Sequence, residues 1–115
     1  MTTAANVSAQ EAKKIIEERK SDSSFILLDV RTGMEYGMSH IDGSVNISSG
    51  DIESRLKDLD KSKFYLVYCR SGARSNSAAN TMRANGFNKV TNMLGGISEW
   101  GRNKYPIYSN VCNIM

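Results

Sequence analysis

Two short, largely apolar runs constrain this chain more than any other feature: Phe25-Ile26-Leu27-Leu28-Asp29-Val30, with the charged Asp29 near its end, and Phe64-Tyr65-Leu66-Val67-Tyr68. Neither alternates polar with apolar residues, so each suits a strand covered on both faces. Around them the spacing is helical. Ser8 and Glu11 form a capping box ahead of Ala12, Ile15 and Ile16, which predicts a helix from about Ser8 to Lys20. Thr32 and Glu35 form a second box and predict a short helix from Gly33 to Met38, before turn residues Ser39 to Gly43 and a short strand at Ser44 to Ile47. Ile52, Leu56 and Leu59 put an amphipathic helix on Asp51 to Leu59. From Ser75, small and apolar residues Ala78, Ala79 and Met82 recur until Asn85-Gly86 stops the helix. Lys89 to Met93 gives a further strand, and Ile97 to Arg102 a short helix carrying Trp100. Strands alternating with helices, without tight hairpin signals, predict an α/β fold: an open parallel sheet of about five strands flanked by helices on both faces.

At 115 residues the chain is long enough for one core and short for two, so residues 1–115 are expected to form a single domain with frayed ends at about 1–5 and 109–115. With 40% hydrophobic and 23% charged residues and one proline, the composition is that of a globular protein. The net charge of +3 is spread among mixed signs with no Lys/Arg stripe, which argues against nucleic acid as a partner. No apolar run approaches a membrane span, and the start, MTTAANVSAQ, lacks a basic region followed by an apolar one; the expectation is a cytoplasmic protein with no membrane partner. Two cysteines, Cys69 and Cys112, are too few for a disulfide scaffold and are read as reduced thiols. Together with His40 they lack the paired spacing of a zinc site, so no metal is expected. The final Cys112-Asn113-Ile114-Met115 formally fits a prenylation box, but Asn113 is polar and no polybasic stretch precedes it. Asn46-Ile47-Ser48 matches a glycosylation acceptor, which means nothing in a chain that stays in the cytoplasm.

The second apolar run ends at Cys69-Arg70-Ser71-Gly72-Ala73-Arg74-Ser75, a loop between a strand and a helix N-terminus. Ligands of open α/β sheets gather at the carboxyl ends of the strands, where this loop sits. The helix start offers unpaired N–H groups and a partial positive charge, and Arg70 and Arg74 add two full charges. All three favour a Cys69 thiolate and lower its pKa. Gly72 with small Ser71 and Ala73 allows the backbone to curl into a nest of converging N–H groups. The bland alternative is a buried, inert cysteine; the flanking arginines and the helix start favour a reactive one. His40, the one histidine, lies in a loop before a different strand and reads as structural, so electrostatics must activate the nucleophile.

At this point the sequence resembles the rhodanese homology domain in its single-domain thiosulfate sulfurtransferase form. LLDVRTGMEYGMSHIDGSVNI (residues 27–47) is similar to the family's N-terminal signature through Asp29-Val30-Arg31, Glu35, His40-Ile41 and Gly43. YCRSGARS resembles its active-site loop, and Leu94-Gly95-Gly96 with Trp100 its C-terminal signature. Small departures are Ser39, Ser44 and Ser48, where glycine, alanine and proline are common. The resemblance implies a rhodanese-like fold and a persulfide mechanism without a cofactor. Cys69 attacks the outer sulfur of thiosulfate or a related persulfide donor, and the Cys69 persulfide passes its sulfur to cyanide or a thiol. Backbone N–H groups of residues 70–75 (Arg70, Ser71, Gly72, Ala73, Arg74, Ser75) would hold the persulfide, and Arg70 and Arg74 the anionic donor and departing sulfite.

Two other functions compete. A cysteine phosphatase or arsenate reductase of the same fold separates its cysteine and arginine by five residues, whereas four separate Cys69 from Arg74, leaving a loop suited to sulfur more than phosphate. A sulfur carrier or interaction module, with another protein as sulfur donor or acceptor, would use the same persulfide. Asp29, Arg31 and Glu35 read as a paired structural network, Trp100 as a core anchor, and Cys112 as an incidental thiol.

Overall fold

Residues 4–109 are described by the computed structural model; Cys112, the C-terminal tetrapeptide and most of both predicted frayed ends lie outside the described residues. In chain order, β1 (Asn6–Val7) leads to α1 (Ala9–Arg19), β2 (Phe25–Asp29), α2 (Gly33–Met38), β3 (Ser39–His40) and β4 (Val45–Asn46). Then follow α3 (Ile52–Arg55), β5 (Phe64–Tyr68), α4 (Ala73–Ala84), β6 (Val90–Met93), α5 (Gly96–Arg102) and β7 (Tyr108–Ser109). Both predicted capping boxes close: the Ser8 and Thr32 hydroxyls accept from the N–H groups of Glu11 and Glu35, and each glutamate reaches back to its cap residue's N–H.

The main sheet has five strands in the order β1-β6-β5-β2-β4, and every pairing is parallel. The two apolar runs are neighbours at its centre, paired from Phe25↔Phe64 to Asp29↔Tyr68. Their lack of alternation now has its cause: successive residues serve different cores. Leu28, Tyr65 and Val67 face Ala78, Ala79 and Met82 of α4 with Ile52 of α3, while Leu27, Leu66 and Tyr68 face Ala12 of α1 with Ile97 and Trp100 of α5. The predicted α/β architecture is therefore the observed one.

Three elements differ from the sequence expectation. The helix predicted on Asp51 to Leu59 is one α turn flanked by 3-10 turns at Ser49–Asp51 and Leu56–Asp58. Neither of the last two segments has a side-chain cap, and a segment this short has little intrinsic helical stability. Ile52 and Leu56 are buried all the same, so packing preserves the apolar face without a regular helix. The other two, β1 and the antiparallel β3–β7 pair, were missed because two residues show no period. Among the described residues, no helix is long and apolar enough to cross a membrane.

Two buried polar arrangements fix the carboxyl ends of β2 and β5. Asp29 is fully buried and accepts from Arg31: Oδ2 from Nη2 at 2.7 Å and from Nε at 3.0 Å, and Oδ1 from the backbone N–H at 2.8 Å. Arg31 also donates to the Ser39 carbonyl. Burial opposes the Arg31 charge, but the Asp29 carboxylate outweighs it and keeps the guanidinium above its usual value. The Tyr68 hydroxyl accepts from the Ile41 N–H at 3.0 Å and lies 3.0 Å from Ser44 Oγ, which ties the turn before β4 to β5. Burial, followed by the Asp29 charge, pushes the Tyr68 phenol up, so it stays protonated.

The loop after β5 is held by α5. The N–H groups of Ile97 and Ser98 donate to the carbonyls of Cys69 and Arg70 at 2.9 and 3.0 Å. This approach requires Gly96, which has φ +56°; a Cβ there would lie 2.6 Å from the Arg70 carbonyl oxygen and closer still to that of Cys69. Gly96→Ala combines left-handed strain with a backbone clash and should cost about 2–4 kcal/mol. Urea denaturation of both proteins measures it, and an unchanged midpoint would contradict this packing.

Candidate functional site

The β-sheet reverses its direction of growth between β2 and β5: β2 is followed outward by β4, and β5 on the other side by β6. Such a switch point opens a crevice at the carboxyl ends of the two strands. The loop 69–75 enters it from β5, and the segment Val30-Arg31-Thr32 from β2. Val30 N–H still donates to the Tyr68 carbonyl at 3.0 Å, so the two loops diverge directly beyond a closed ladder.

Within the loop, Gly72 takes φ +111° and caps α4. A Cβ there would lie in ordinary contact with the Gly95 nitrogen and the Met93 carbonyl at 3.5 and 3.8 Å, so the positive φ is what demands glycine, and Leu94-Gly95-Gly96 forms the wall beside the loop. The turn brings the Gly72 N–H to 3.1 Å from Cys69 Sγ. Ser75, in the first turn of α4 and fully buried, points its hydroxyl at the same sulfur from 3.3 Å and at the Gly72 carbonyl from 3.2 Å.

Burial pushes the Cys69 thiol up, but hydrogen bonds from the Ser75 hydroxyl and from the N–H groups of Ser75, Gly72 and Ser71 prevail and leave it below its ordinary value. The sequence assigned part of this lowering to Arg70 and Arg74. In the structure the largest lowering effects are hydrogen bonds, with Arg74 acting on the sulfur through its charge, and the Ser75 hydroxyl was overlooked; its only signal was a serine on the helix face nearest the cysteine. Cys69 is also deeper than an exposed loop cysteine, with 1% of its surface accessible.

The arginines take different positions. Arg70 is exposed and makes no ion pair among the described residues. Arg74 makes a forked pair across the crevice, Nη1 to Glu35 Oε1 at 2.9 Å and Nη2 to Oε2 at 3.2 Å. Arg74, opposed by partial burial and helped by the Thr32 N–H and hydroxyl, holds the Glu35 carboxyl down at about 2. The paired network expected for Asp29, Arg31 and Glu35 thus splits in two: Asp29 with Arg31, and Glu35 with Arg74. Ser71 and Ala73 are exposed and contribute backbone to the rim.

His40 stacks on Tyr36 with ring centroids 3.8 Å apart and places Nδ1 2.8 Å from the Tyr36 carbonyl, the geometry of a structural histidine. Trp100 is 3% exposed and donates from Nε1 to the Pro106 carbonyl at 2.8 Å, as a core anchor does. No cluster of three or more metal-ligating side chains exists among the described residues.

Comparison with known proteins places this geometry. The family described as "Rhodanese-like domain" matches residues 8–103. A Bacillus subtilis protein named as a sulfur carrier, YrkF, is 42% identical over 80 residues, covering 70% of this chain, which spans 43% of that protein's length. A sulfurtransferase of Allochromatium vinosum is 33% identical over 93 residues, 80% of this chain and 87% of the relative. The crystal structure of a rhodanese-related protein from Thermoplasma volcanium superposes with a TM-score of 0.77 at 28% identity, covering 91% of this chain and 98% of that one. With its three motifs gathered on one switch-point crevice, the chain belongs to the rhodanese-like domain family.

Proposed function

We propose that the protein is a sulfurtransferase that moves a sulfane sulfur through a Cys69 persulfide. The observation that carries this reading is the pair of donors, Gly72 N–H and Ser75 Oγ–H, converging on one sulfur. A thiolate attacks the outer sulfur of a donor such as thiosulfate; the S–S bond of the donor breaks and its electron pair leaves with sulfite. The new terminal sulfur is an anion, and the same loop donors, with N–H groups of Ser71 and Ser75, offset its charge. A thiol or cyanide then attacks that terminal sulfur and regenerates the Cys69 thiolate. The chemistry uses no metal or organic cofactor.

Burial of Cys69 supports transfer through the added atom. The new sulfur stands about 2 Å beyond Sγ, so an acceptor meets the cargo before it meets the cysteine. This also suits a sulfur carrier that receives its sulfur from one protein and yields it to another; the Bacillus relative is named a sulfur carrier. Phosphate chemistry fits less well, because the loop arginine at position 74 is committed to Glu35.

Incubation with thiosulfate followed by mass spectrometry should show one added sulfur on Cys69, absent in Cys69→Ser. Folded, reduced wild type that gains no sulfur from thiosulfate or a persulfide would sink the proposal. Hydrolysis of an aryl phosphate should stay at background. Ser75→Ala removes a hydrogen bond to a charged sulfur, so the pH midpoint of Cys69 alkylation should rise and persulfide formation slow by about tenfold; an unmoved midpoint would separate Ser75 from thiolate stabilisation.

A further inference from the structure

Sulfur transfer as just described gives Glu35 no task, yet its carboxylate is the most constrained group at the mouth of the site. Oε1 accepts from the Thr32 N–H at 2.9 Å, from the Thr32 hydroxyl at 3.1 Å and from Arg74 Nη1 at 2.9 Å, while Oε2 takes Arg74 Nη2. Helix capping does not require the arginine. The same box at the start of α1 closes through Glu11 and Ser8 with no arginine on the carboxylate. The Arg74–Glu35 pair is therefore an addition to the cap, made across 39 residues between the two loops that form the crevice.

Its effect is on the charge seen by an incoming donor. Asp29 and Arg31 cancel behind the site. At the mouth the Arg74 charge is cancelled by Glu35, and Arg70, the exposed residue next to Cys69 in the loop, is the one further loop cation, with no ion pair among the described residues. Arg74 is close enough to Cys69 to feel the sulfur's charge. Glu35 is ionised at any working pH, so the cancellation is permanent. A site carrying two uncompensated cations would favour a dianion; a site carrying one is less selective for it.

We propose that Glu35 is a specificity-determining residue: by neutralising Arg74 it lowers the preference of the Cys69 site for dianionic thiosulfate relative to persulfide donors that carry at most one negative charge. This rests on the sulfur-transfer reading above. For a persulfide RSSH, the Cys69 thiolate takes the terminal sulfur, the donor S–S bond breaks, and the proton leaves with the departing thiol: Cys69–S⁻ and RSSH give Cys69–S–S⁻ and RSH. For thiosulfate the products are Cys69–S–S⁻ and sulfite, with both negative charges of the donor retained on sulfite.

The test measures the rate constant for Cys69 persulfide formation in the full chain with two donors. One is thiosulfate. The other is the persulfide of N-acetylcysteine methyl ester, whose only ionisable group is the persulfide itself. Because Coulomb attraction scales with donor charge, Glu35→Gln should accelerate thiosulfate roughly tenfold and the persulfide roughly threefold at most, raising their ratio about threefold. Arg74→Gln should lower the ratio by a similar factor, and the double variant, with the excess of one positive charge restored, should return it to near the wild-type value. The differences should shrink in high salt. If Glu35→Gln changes both donors by one common factor, or changes neither, the proposal is overturned; so it is if the double variant keeps the displaced ratio of either single one. Should circular dichroism show that Glu35→Gln does not fold, Arg74→Gln alone decides, and an unchanged ratio there overturns it. Failure of wild type to load sulfur from either donor would instead defeat the sulfur-transfer reading itself.

Discussion

The pairing of β2 with β5 is the contact on which the rest depends. It aligns Phe25 to Asp29 with Phe64 to Tyr68, residue for residue, and so delivers two loops from distant parts of the chain to one edge of the sheet. Burial of both faces fixes the register, because a slip by one residue would exchange the partners of the two cores. The carboxyl ends are then locked by polar groups: the Asp29–Arg31 pair after β2, and the Tyr68 hydroxyl at the end of β5. A buried ion pair adds little net stability, yet removing one partner leaves a lone buried charge. Its structural value is positional, since Arg31 Nη2 also reaches the Ser39 carbonyl and ties α2 to its strand.

The loop itself is held from outside as much as from within. Its carbonyls at Cys69 and Arg70 are taken by the first N–H groups of α5, which leaves the N–H groups of the loop as its inward-facing donors. Gly96 makes the close approach possible, and Gly72 supplies the left-handed turn that curls the loop. The three sequence motifs are thus one mechanical unit: the first supplies Asp29, Arg31 and Glu35, the second the loop, and the third its outer brace.

Much of this was legible in the sequence because its causes are local. Capping boxes at Ser8 and Thr32, helical spacing through Ala78, Ala79 and Met82, and the two largely apolar runs each announce a structure within a few residues. The loop was legible for the same reason. What escaped has a nonlocal cause. Arg74 finds Glu35 only after the sheet has formed, so neither charge signals its partner in advance. The extra strands β1 and β7 owe their existence to neighbours already in place, and the segment after Ser48 keeps its apolar residues inward without a regular helix. The converging N–H groups that lower the thiol pKa were legible in the loop, but the Ser75 hydroxyl was not, because charges and loop amides can be counted in a sequence while a hydroxyl's aim depends on the helix turn that carries it.

The depth of Cys69 has one more consequence. With 1% of the residue accessible, Cys69 itself shows almost nothing to the outside, whereas a second sulfur would stand about 2 Å beyond Sγ. Loading would then change what the mouth of the site presents, from loop backbone to a charged sulfur. A protein that rests against this mouth could tell a laden copy from a spent one by touch.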